Sequence, residues 1–74
     1  MKQELNGLML LGDLAAMLEY MRQRGQSVLL NWAEDDNLWE CSWITGGERF
    51  TGLSNRSPRS AALDCMAKVK ESLP

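Results

Sequence analysis

The stretch Leu38-Trp39-Glu40-Cys41-Ser42-Trp43-Ile44 alternates without a break, with Trp39, Cys41 and Trp43 on one side and Glu40 and Ser42 on the other. A period of two marks a strand with one covered and one wet face. The covered face carries two indoles and a thiol, so the rest of the chain must supply an apolar layer to lie over it. A chain of 74 residues has room for one sheet and one such layer. We therefore expect a single domain spanning residues 1–74.

The flanking segments fit that frame. Val28, Leu30 and Trp32 share one face of a strand ending at the polar turn Glu34-Asp35-Asp36-Asn37, which sets Trp32 opposite the Trp39 strand. Gly46-Gly47 is a hairpin signal, because both central residues can take positive φ. The third strand, Glu48 to Leu53, turns Phe50 inward and Arg49 and Thr51 outward. Connections this short make the sheet an antiparallel meander.

Two helices complete the reading. Leu10, Leu14, Met17, Leu18 and Met21 recur at helical spacing on one stripe. That helix starts between Asn6 and Asp13 and stops at Gly25, read as a left-handed end. Ser57 caps the last helix and Pro58 takes its first position. Its inner stripe is Ala62, Met66, Val69 and Leu73 with Cys65 beside it, while Asp64, Lys68 and Glu71 face away. The expected fold class is α+β in the order α-β-β-β-α, a three-stranded antiparallel meander with two helices packed on one face.

Chemistry-bearing residues are scarce. There is no histidine, which removes His-based acid–base catalysis and the Ser-His and Cys-His nucleophile pairs. Cys41 and Cys65 fall in apolar patterns and read as core thiols. The acidic turn lacks the spacing and glycine of a calcium loop. No catalytic residue, cofactor or metal site is expected, and the chain is read as a non-enzyme. No apolar run is long enough for a signal peptide or a membrane span, so the expected place is the cytoplasm, with no membrane partner.

Eight basic against ten acidic side chains leave a net charge of −2. Backbone-gripping nucleic-acid domains carry a basic excess, so nucleic acid is not the expected partner. The charge is uneven, however. Residues 26–47 hold Glu34, Asp35, Asp36 and Glu40 with no base, whereas Arg49, Arg56 and Arg59 stand close in sequence against Glu48 alone. Those three arginines are the candidate anion or nucleic-acid contact, weighed against a dispersed solvated surface.

The element order, the Asp-Leu-Ala-Ala helix start at Asp13, the Trp-Glu-Cys-Ser-Trp strand and the Ser-Pro-Arg-Ser-Ala-Ala-Leu helix entry resemble the phage ABA sandwich domain, a family of small proteins of tailed phages and prophages. The resemblance covers roughly Asp13 to Val69. It implies a fold and a phage or prophage setting in a bacterial cytoplasm, and no site residues. The order α-β-β-β-α is also similar to the double-stranded-RNA-binding domain, with Arg56 and Arg59 in the region where that family enters its last helix through lysines. Glu34, Asp35 and Asp36 replace that family's groove-reading loop and would repel phosphates.

The tryptophans read as core, since large aromatics are how a small domain gains buried area. Leu5, Leu8 and Met9 lie off the sheet-packing stripe, in a methionine-rich segment suited to adaptable contacts. They form the candidate protein interface. Its expected occupant is a second copy paired through the N-terminal helix, or a host or phage protein docking on the same surface. The resulting expectation is a non-enzymatic protein-interaction module, a host-directed or anti-defence inhibitor being one form; the alternative is a weak nucleic-acid-binding domain.

Overall fold

Two hairpins sharing a strand build the sheet. The computed structural model describes all residues, Met1–Pro74. Strands β1 (Ser27–Ala33), β2 (Leu38–Thr45) and β3 (Glu48–Ser54) lie in the order β1-β2-β3, both pairs antiparallel. Gly46 and Gly47 close the second hairpin with φ of 61° and 79°, the left-handed pair that matches strand twist. The register puts Val28, Trp43 and Phe50 in one row of the inner face, Leu30, Cys41 and Gly52 in the next, and Trp32, Trp39 and Ser54 in the last.

Helices α2 (Leu14–Arg24) and α3 (Pro58–Ser72) lie on that face, and α1 (Lys2–Leu11) packs against both of them. The class is α+β, with the helices packed on the sheet. The core consists of Leu5, Met17, Met21, Cys41, Trp43, Ala61, Ala62, Cys65, Met66 and Val69. Helix α3 enters as its sequence dictates, with the Ser57 hydroxyl accepting the Ser60 N–H at 3.0 Å and Pro58 in the first turn. It lies against β3 so closely that a Cβ on Gly52 would sit 2.2 Å from the Ala61 carbonyl oxygen and 2.3 Å from the Cys65 nitrogen.

Several expectations change. The single N-terminal helix is two helices, and the first begins at Lys2. Gly12, at φ 64°, ψ 21°, ends α1 in the left-handed conformation with its N–H on the Leu8 carbonyl, and Asp13 opens α2 in extended geometry. This break resets the helical phase, so Leu10 leaves the stripe that the spacing gave it and is 88% exposed. Gly25 is not a left-handed stop, since its backbone is extended. It is small because a Cβ there would lie 2.3 Å from the Trp43 Nε1.

Trp32 is also a partial correction. Trp43 is fully buried, whereas Trp32 is 40% exposed and meets Trp39 edge-on at 5.4 Å. Asp64 and Lys68 do more than face solvent. The Leu53 N–H donates to Asp64 Oδ2 at 3.0 Å and Lys68 Nζ donates to the Thr51 carbonyl at 2.8 Å. The outer rim of β3 is thereby occupied by α3.

Candidate interaction surface

Helix α1 has two unlike faces. Leu5, Leu8 and Met9 follow the i, i+3, i+4 spacing of one side, and that side turns inward. Leu5 is fully buried, and Leu8 and Met9 are half-buried against the core. As an interface triad they are therefore corrected: the inner stripe of α1 is part of the core, joined to α3.

The exposed apolar surface comes from the neighbouring positions. Leu10 is 88% and Leu11 77% exposed, two branched side chains side by side at the end of α1. A shallow groove lined by Asn6, Met9, Leu10 and Lys70 runs beside them. Gly12 fixes this arrangement, because its left-handed backbone stops the helix directly after the two exposed leucines. Sequence spacing missed them because Leu10 fits an unbroken stripe leading into Leu14 and Met17. The positive φ of Gly12 was the signal that separates the two helices.

The arginines do not gather into one site. Arg49 lies at the Gly46-Gly47 end of β3, opposite Ile44, while Arg56 and Arg59 follow the far end of the same strand. At about 3.3 Å per residue, the strand from Arg49 to Ser54 puts about 16 Å between Arg49 and the end that Arg56 and Arg59 follow. Arg59 lies over the α1–α2 turn, where a Cβ on Gly12 would meet its Nη1 at 2.6 Å. Arg56 and Arg59 share their end of the sheet with the exposed turn that carries Glu34, Asp35 and Asp36, so cations and carboxylates are mixed there.

Cys41 and Cys65 face each other across the row that holds Gly52, both fully buried. The Cys65 thiol donates to the Phe50 carbonyl at 3.4 Å. Contact with the Cys41 sulfur and then burial push the Cys65 thiol well above its usual range, which keeps it in the un-nucleophilic form. No three Cys, Asp or Glu side chains come together as a metal-ligand set, and no helix is long and apolar enough to cross a membrane.

No family model, curated protein or solved structure matches the chain.

Proposed function

We propose that this chain is a non-enzymatic protein-interaction module of phage or prophage type, working in a bacterial cytoplasm on a host or phage protein. The observation that carries the reading is the exposed Leu10–Leu11 pair. Isolated exposed leucines are ordinary, but two adjacent ones beside Met9 make a continuous apolar patch on a very small surface, and such patches mark contact sites. Lys70 at its margin and Arg59 near its base give the patch a polar, cationic rim, the usual surround of a protein interface. A host-directed inhibitor, including one that blocks a defence protein, is a form of this reading.

A nucleic-acid role has less support, because the structure separates Arg49 from Arg56 and Arg59 and sets three carboxylates at the end of the sheet those two occupy. Affinity capture from bacterial lysate, comparing the wild type with Leu10→Ser/Leu11→Ser, tests the proposal. A discrete protein retained by the wild type and lost with the variant supports it. Equal capture by both, or salt-resistant binding of duplex RNA in a gel shift, overturns it.

A further inference from the structure

The two rims of the sheet are treated differently. At β3 the outward carbonyl of Thr51 accepts from Lys68 and the outward N–H of Leu53 donates to Asp64, both on α3. Occupying or charging an edge is how proteins stop sheets from adding strands. The opposite rim, β1, reads Ser27-Val28-Leu29-Leu30-Asn31-Trp32-Ala33 and has no charged residue and no proline. No side chain of the protein hydrogen-bonds to its backbone.

The direction of the free groups follows from the register. Thr51 and Leu53 point away from β2, so Phe50, Gly52 and Ser54 bond β2 through Trp43, Cys41 and Trp39. The intervening residues Ile44, Ser42 and Glu40 then bond β1 through Ser27, Leu29 and Asn31. Val28, Leu30 and Trp32 are left with N–H and C=O aimed outward. These are also the residues whose side chains stand on the inner face, and Trp32 remains 40% exposed.

We propose that this rim pairs with the same strand of a second copy, antiparallel, about a two-fold axis through Leu30. In this register Leu30 faces the partner's Leu30, and Val28 faces the partner's Trp32 on both sides of the axis. Every outward group of the three residues is satisfied, two hydrogen bonds for each of the three pairs. The inner faces stay on one side, and Val28 covers the exposed indole of the other copy.

Charge favours a second copy over an unrelated strand. Arg22 and Arg24 close α2 just before β1, and Glu34, Asp35 and Asp36 follow directly after it. Arg24 and Asp36 are each six residues from Leu30 along the chain, so antiparallel pairing brings the end of each copy that carries the arginines to the end of the other that carries the carboxylates. The present partners of these arginines, Glu19 and Glu4, are held in exposed surface pairs, which cost little to exchange. The leucines belong to α1 and this rim to β1, so different substitutions test the two proposals.

Sedimentation of three proteins over a concentration series up to about 100 µM tests the pairing. Leu29 and Asn31 project from the outer face and face each other across the axis, so Leu29→Lys/Asn31→Lys sets like charges opposite one another twice. Leu29→Glu/Asn31→Lys sets opposite charges there. The expected result is a wild-type dimer, association weakened about tenfold or more in the first variant, and a dimer again in the second. Amide exchange of the unmodified chain gives an independent reading: Val28, Leu30 and Trp32 should be protected at high concentration and lose that protection on dilution. A wild type monomeric throughout, a dimer indifferent to both variants, or exchange at those amides independent of concentration overturns the proposal.

Discussion

Gly7 and Gly52 both sit inside regular elements, yet a methyl group added to each meets different surroundings. At Gly7 in α1 nothing lies within 4 Å of an added Cβ, so Gly7→Ala should stabilise the fold by about 0.5–1 kcal/mol through helix propensity alone. At Gly52 the added Cβ would fall 2.2 Å from backbone of α3. Gly52→Ala should therefore cost about 1–3 kcal/mol or more, as helix and sheet are forced apart. Denaturant unfolding of the two variants measures both signs. Tyr20 offers a second single-residue test, since it is the chain's one tyrosine. Burial first, and the Glu4 carboxylate second, raise its phenol above the usual range, partly offset by Arg24, whose guanidinium carbon is 5.6 Å from the ring centre. The folded protein thus holds the phenol proton more tightly than the unfolded chain does. The corresponding stability is complete below the ordinary tyrosine value near pH 10 and is lost as pH rises through the raised one. Tyrosinate absorbance should titrate at higher pH in the native protein than in urea. Coincident curves would contradict the burial of this hydroxyl.

Among the elements, those governed by strict alternation or a two-residue cap were legible, and those governed by phase were not. The Trp39–Cys41–Trp43 pattern gave β2, its inner face and its pairing with Trp32. Ser57-Pro58 gave the start of α3. The N-terminal helices were misread because Leu5, Leu8, Met9, Leu10 and Leu11 supply enough apolar residues for two different stripes. Only the left-handed turn at Gly12 chooses between them. The bonds of Asp64 and Lys68 to β3 were not legible for another reason: their spacing on α3 says correctly that they point away from the core, but not that a strand rim lies there. Asp64→Ala tests their role. Removing the acceptor leaves the Leu53 N–H open and breaks the 3.3 Å pair with Lys68. The expected cost is about 1 kcal/mol, with faster amide exchange at Leu53 and a greater tendency to aggregate through β3. Unchanged exchange at Leu53 would mean that the carboxylate does not hold the rim.

At the scale of the whole molecule, the interior is a single cluster reaching from Leu5 to Val69, so it has no second core to fall back on. Met66 is fully buried on the inner stripe of α3, and Met66→Asp would place an unpaired carboxylate there. The cost is on the order of several kcal/mol, comparable with the whole stability of a domain this size. The variant should lose its near-ultraviolet dichroism, and a cooperative melt with native dichroism would refute this placement of the helix face. The buried thiols make the same unity measurable without perturbing the core. Cys41 stands on the central strand and Cys65 on α3, both fully buried and facing each other. Exposing either one requires α3 to leave the sheet, and that separation removes most of the core at once. Modification by a thiol reagent under native conditions should therefore proceed by global opening, at a rate that follows stability. Gly7→Ala should slow it about two- to fivefold, the equivalent of its 0.5–1 kcal/mol, and Leu10→Ser/Leu11→Ser should leave it nearly unchanged because those side chains are already in water. Mass spectrometry should find unlabelled and doubly labelled chains with little between them, since the first modification leaves the second thiol in an opened core. Accumulation of protein labelled only at Cys65 would instead reveal that α3 frays locally, and the single cooperative unit would have to be divided at the helix–sheet seam.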